Sequence, residues 1–208
     1  MNLQIKLIVL GNQFVGKTSF IKRVVNENFR EFYMATIGIE YDKISFEHKG
    51  SNHEIILWDT SGQDKFNFLL ESYFTSVNGA IIICDVSVYQ SFQQAKNWID
   101  EFRIRKKNDN IPILFLANKI DVKNRCVFSY EIEALEKDKN VKTLEMSLKT
   151  NHNVDKIFPI IFDDFIEKIE DNRLSINGDK IKVLKKTKSS FQIQEQQNTP
   201  EPKCCNIM

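Results

Sequence analysis

Apolar positions along the first 170 or so residues follow two alternating rhythms. Short aliphatic runs such as Leu7-Ile8-Val9-Leu10, Ile55-Ile56-Leu57-Trp58 and Ile113-Leu114-Phe115-Leu116-Ala117 read as buried strands. The pattern predicts strands near 3–10, 39–48, 53–59, 79–85, 111–117 and 141–146. Between most of them the spacing shifts to three and four, predicting helices near 17–26, 64–76, 91–107, 129–139 and 153–171. Phe92, Ala95, Trp98, Ile99 and Phe102 form one core-facing stripe. Val154, Ile157, Phe158, Ile161, Phe162, Phe165 and Ile169 form another. Pro159 interrupts the second, and its missing N–H should kink or delay the last helix. Strand–helix alternation implies an α/β fold: a six-stranded, mostly parallel sheet with helices on both faces and one antiparallel hairpin from 39–48 and 53–59. Ligands of such sheets sit outside the carboxyl ends of the strands.

The chemistry falls at those ends. Gly-Asn-Gln-Phe-Val-Gly-Lys-Thr, residues 11–18, matches G-x-x-x-x-G-K-[ST] directly after the first strand, the pattern of a P-loop NTPase. Backbone N–H groups from Gly11, Asn12, Gln13, Phe14, Val15, Gly16, Lys17, Thr18 and Ser19 would converge with a helix N-terminus on a polyphosphate. Lys17 would reach the β- and γ-phosphates and the Thr18 hydroxyl would ligate Mg²⁺. Asp59 ends the strand 53–59 and can hold the same ion through water. Gly62 lets its N–H turn toward a γ-phosphate, and Gln63 can orient an attacking water, which makes it the candidate catalytic residue. Thr36, in the loop Ala35-Thr36-Ile37-Gly38, would complete the metal shell when the γ-phosphate is present.

Asn118-Lys119-Ile120-Asp121 follows the run 113–117 and selects the base. A carboxylate there accepts from both N1–H and the N2 amine of guanine. Adenine would face it with an acceptor. Such a site rejects the analogue that leaves its groups unpaired.

Together these residues resemble the Ras superfamily of small GTPases, over roughly residues 3–171, and within it the Rab family. The Rab resemblance rests on Ile37-Gly38-Ile39-Glu40-Tyr41, Glu54 to Asp59, Cys84-Asp85-Val86-Ser87 with Ser91-Phe92, and the terminal cysteines. Gln13, the segment 35–39 and residues 92–94 through 98–100 are similar to the Golgi-associated Rab subgroup. The resemblance implies that Phe29 stacks on guanine, Tyr33 covers the phosphates, and Ser147 with Lys149 flanks the base. It implies a GTP/GDP switch whose loops near 30–41 and 60–74 are ordered by γ-phosphate and Mg²⁺. It further implies an effector surface including Ile37, Gly38, Ile39, Tyr41, Trp58 and Tyr73. An exchange factor, a GTPase-activating protein and a GDP-dissociation inhibitor are the implied regulators. Intrinsic hydrolysis in this superfamily is on the order of 10⁻⁴ s⁻¹.

Three positions depart from the family pattern. Ser61 stands where alanine is usual. Leu148 occupies the place of a small residue whose N–H reads guanine O6; its side chain either points away or pushes the base and hastens exchange. Lys65-Phe66-Asn67-Phe68 replaces an arginine-rich stretch.

Composition agrees and narrows the picture. Apolar content of 42% and charged content of 27% are globular values. A net charge of +1 gives no nucleic-acid signal, and a monomer is expected. No twenty-residue apolar span exists, and the N-terminus reads as a strand, not a signal peptide. Four cysteines, with Cys84 in a strand and Cys126 in a polar loop, give no disulfide framework and suit a reducing cytosol. His48, His53 and His152 show no metal-ligand spacing and default to the surface.

The domain is expected to span 1–171, followed by a flexible tail over 172–208 with lysines at 180, 182, 185, 186 and 188. The chain ends Cys204-Cys205-Asn206-Ile207-Met208. Cys205 onward fits C-a-a-X, whose methionine favours farnesyl, while paired Cys204 and Cys205 resemble doubly geranylgeranylated Rab tails. Lipidation would place the protein on the cytoplasmic face of an internal membrane, Golgi or vesicle, cycling with cytosol. Rival readings are a Ras-like signalling GTPase farnesylated at Cys205, a non-cycling GTP-bound scaffold, and a small-molecule kinase sharing the P-loop.

Overall fold

The computed structural model describes residues 2–26, 39–60, 74–171, 173–174 and 181–184. In chain order these form β1 (Asn2–Leu10), α1 (Lys17–Asn26), β2 (Ile39–His48), β3 (Ser51–Thr60), β4 (Gly79–Asp85) and α2 (Tyr89–Lys106). Then come β5 (Ile113–Asn118), α3 (Ser129–Lys139), β6 (Lys142–Glu145), a 3₁₀ turn (Val154–Lys156), α4 (Ile157–Glu170) and β7 (Lys182–Leu184). The helix expected over 64–76 lies outside the described residues except for its end, where Phe74 is buried.

The strands line up as β2-β3-β1-β4-β5-β6, all parallel except β2, as the alternation implied. The β2–β3 hairpin closes on Lys49-Gly50 with φ of 48° and 70°, a twist that suits paired strands. Strand alternation divides the core in two. Leu7, Val9, Leu57, Ile81, Ile83 and Leu116 face α1 and α4, whereas Ile8, Ile82, Phe115 and Ala117 face α2 and α3. With helices on both faces, every central strand is buried on both sides, which explains its continuous apolar runs.

Pro159 delays the last helix. A 3₁₀ turn precedes α4, and the proline falls in the first helical turn, where a missing N–H breaks no intrahelical bond. The stripe on α4 is wider than its apolar residues. Asp164 and Lys168 are also buried and bond each other at 2.7 Å.

A seventh strand lies beyond the six expected, within the stretch read as tail. β7 pairs antiparallel with Asn2–Gln4 of β1. β4 joins β1 only from Leu7 onward, so the N–H and C=O groups at the start of that edge are satisfied by β7. Ile181 and Leu174 are buried in the same apolar cluster as α4.

His53 corrects the surface assignment. It is only 4% exposed, shares its face of β3 with Ile55 and Leu57, and its Nδ1 accepts the Leu3 N–H at 3.2 Å. Burial, then the neighbouring His48, pushes its pKa down. His152 is exposed, and half-buried His48 contacts Asp163 at 2.8 Å.

Candidate guanine-nucleotide site

The loop after β1 is shaped for close approach. Gly11 (φ 140°) and Gly16 (φ 109°) adopt backbone that other residues rarely reach. A Cβ on Gly11 would stand 2.3 Å from the Ile83 carbonyl oxygen, and one on Gly16 2.7 Å from Asn118 Nδ2. Between them Phe14 is 62% exposed and left-handed at φ 63°, while Val15 is buried. Asn12 turns its amide away from the loop to Gln94 on α2, and Gln13 is exposed.

Lys17 curls back over this loop. Its Nζ donates to the carbonyls of Gly11 at 2.9 Å and Asn12 at 2.8 Å. Burial lowers its pKa to about 8, although the Asp59 carboxylate pulls the other way. A shielded ammonium at the mouth of an N–H-lined loop fits a polyphosphate. Asp59, 3% exposed at the end of β3, and half-buried Thr18 at the start of α1 form an oxygen donor set suited to a hard cation. Ser19 is half-buried on α1.

At the end of β5, two strands along from β1, Asn118 joins two loops. Its Nδ2 donates to the Val15 carbonyl at 2.8 Å and its Oδ1 accepts the Leu148 N–H at 3.3 Å. Lys119 (φ 69°) donates to the Phe14 carbonyl at 2.8 Å and pairs with Asp85 at 2.7 Å. Burial would raise the Asp85 carboxyl, but Lys119 and the Ser87 hydroxyl and N–H outweigh it and hold the pKa low. Asp121 is exposed, and one oxygen accepts from the Ser147 hydroxyl at 2.6 Å. The loop 147–152 is closed by reciprocal backbone bonds between Ser147 and His152, with Thr150 N–H on the Ser147 hydroxyl. Arg23 on α1 donates to Asn151 at 3.1 Å. Lys149 is exposed; the Leu148 side chain is 2% exposed and lies inside the core.

Thus the structure brings Gly11–Thr18, Asp59, Asn118, Lys119, Asp121, Ser147 and Leu148 to the carboxyl edge of β1, β3 and β5. Phe29, Tyr33, Thr36, Ile37, Gly38, Gly62, Gln63, Tyr73, Cys204 and Cys205 lie outside the described residues, as do Ser61 and Lys65–Phe68. Ile39 opens β2, where Tyr41 is 64% exposed and packs at a tilt of 44° against half-buried Trp58 across the hairpin, with ring centroids 5.2 Å apart. Asp85, Ser87, Gln94 and Arg23 were not singled out as site residues. Lys119, Asn12 and Asn151, the partners of Asp85, Gln94 and Arg23, are far away in sequence, so no local spacing signals them; Ser87 enters through its bonds to Asp85 two positions before it.

Comparison with known proteins agrees with this geometry. A model described as the Ras family matches residues 6–167. Similar proteins include GTP-binding protein YPTM1 of Zea mays, 32% identical over 154 residues covering 74% of each chain. Ras-related protein RIC1 of Oryza sativa subsp. japonica is 33% identical over 154 residues, covering 74% of this chain and 76% of its own.

Proposed function

Because the chain belongs to the Ras family and is a small GTPase of the Rab type, we propose that it is a membrane-anchored GTP/GDP switch that recruits effectors in vesicle trafficking. The observation that carries the reading is the shared edge of the sheet. A lysine-capped phosphate loop after β1 and a carboxylate-bearing base loop after β5 are joined through Asn118 at the carboxyl ends of parallel strands. Thr18 and Asp59 would hold Mg²⁺, with Thr36 joining them; the ion would supply positive charge against the phosphates. This chain's own groups supply the rest. Lys17 neutralises phosphate charge, Asn118, Asp121 and Ser147 orient the base, and Gln63 positions water.

Hydrolysis is slow without a partner in this reading, because the arginine finger comes in trans. A GTPase-activating protein supplies that finger, an exchange factor reloads the site, and exposed Tyr41 with half-buried Trp58 belongs to the effector surface. Single-turnover assays with Mg²⁺ should show GTP consumed and ATP ignored, with cell extract accelerating the wild type but not Gln63→Leu. Equal turnover of ATP contradicts the reading.

Among the described residues no helix is long and apolar enough to cross a membrane. Anchoring is assigned to prenyl groups on Cys204 and Cys205, with the lysines between 180 and 188 as a further attraction to an anionic surface. Each buried CH₂ contributes about 0.8 kcal/mol, so stable anchoring takes two such signals. The target is the cytoplasmic face of an internal membrane, the Golgi or its vesicles, with a GDP-dissociation inhibitor returning the protein to cytosol. Mass spectrometry of the native C-terminus should find both cysteines modified; free thiols on a full-length tail contradict it.

A further inference from the structure

We propose that the Leu148 side chain is a positioning residue: it wedges the base-reading loop against the phosphate loop and slows nucleotide release. The inference rests on the guanine-nucleotide reading above. A nucleotide is a two-headed ligand, and its hold depends on the two loops keeping the span it needs.

Leu148 stands where they meet. Its side chain belongs to the apolar cluster that includes Val15, Val154 and Ile157. Its Cδ1 lies so near the phosphate loop that a Cβ on Gly16 would be 3.3 Å away. The same Gly16 is walled by Asn118 Nδ2, so the amide and the leucine together brace one turn of the loop. Asn118 Oδ1 accepts the Leu148 N–H, leaving the backbone in place while the side chain turns under Gly16.

The base loop has little slack to absorb a shift. The Ser147–His152 backbone bonds close it, and Arg23 ties Asn151 to α1, which itself begins at Lys17. When the loops part, the polar groups can turn to water, but the buried leucine surface can only be exposed. That contact therefore resists opening. The bulk of Leu148 lies against the phosphate loop at Gly16, and it brakes exchange where a base-pushing side chain would hasten it.

The test measures release of a fluorescent GDP analogue from the full chain for wild type, Leu148→Ala, Leu148→Met and Leu135→Ala. Leu135 is buried in the other apolar cluster, on α3, and serves as a control for general destabilisation. Leu148→Ala should release about tenfold faster or more, equivalent to ~1.4 kcal/mol. Leu148→Met, close in volume, should recover most of the wild-type rate, and Leu135→Ala should lower the melting temperature with little change in release. Unchanged or slower release from Leu148→Ala overturns the wedge, as does equal acceleration by Leu135→Ala or failure of methionine to rescue. A wild type that binds no guanine nucleotide overturns the site reading and the wedge with it.

Discussion

Lys17 carries a consequence that its sequence motif alone does not state. Two backbone carbonyls hold its ammonium, but burial strips it of water and lowers its pKa to about 8 from the ordinary 10.5. Being depressed, it weakens the fold while the lysine is charged, and stability recovers as pH rises through that interval. A bound di- or triphosphate places negative charge beside it and raises the pKa again. Nucleotide binding just above pH 8 should therefore take up protons. Calorimetry in buffers of differing ionisation enthalpy should show that uptake, reduced in Lys17→Arg, whose guanidinium stays charged; proton release by the wild type contradicts the assignment. The motif residues were legible because each performs its chemistry within a few positions of a strand end. Asn12–Gln94 and Arg23–Asn151 were not, since the partners are 82 and 128 positions apart. His53 did carry a signal, its alternation with Ile55 and Leu57, which outweighs a histidine's general preference for the surface.

Elements were legible where one periodicity governed the whole segment. β4 and β5 are uniformly buried and appeared as unbroken apolar runs. α4 shows where that reading stops, because its buried face includes a charged pair that an apolar stripe cannot reveal. Lys168 is depressed chiefly by burial, against the pull of Asp164, and Arg103 and Arg173 add repulsion. Removing the carboxylate leaves a buried ammonium among cations. Asp164→Ala should lose about 3 kcal/mol in urea unfolding, whereas Asp164→Leu with Lys168→Met should recover most of it. A single variant within about 0.5 kcal/mol of wild type would mean the lysine escapes to solvent. β7 was hidden for a different reason. Three residues in a lysine-rich stretch have little pattern of their own, and the free edge of β1 supplies their partner.

At the scale of the molecule, two apolar clusters hold one sheet rigid and leave its carboxyl edge to the loops. The phosphate loop, Asp59, Asn118 and the Ser147–His152 loop share that edge because β1, β3, β5 and β6 run parallel. The fold thus brings motifs spread over more than a hundred residues to one edge, with Asn118 and Leu148 linking the phosphate and base loops. The central claim is that this edge reads guanine through the Asp121 carboxylate. Xanthine replaces the N2 amine with a carbonyl, which a carboxylate repels and an amide N–H can meet. The decisive measurement is the relative affinity for GDP and its xanthine counterpart, with Mg²⁺, in wild type and Asp121→Asn. The account predicts that wild type strongly prefers GDP and that the substitution reverses the order; an unaltered preference in Asp121→Asn would contradict it.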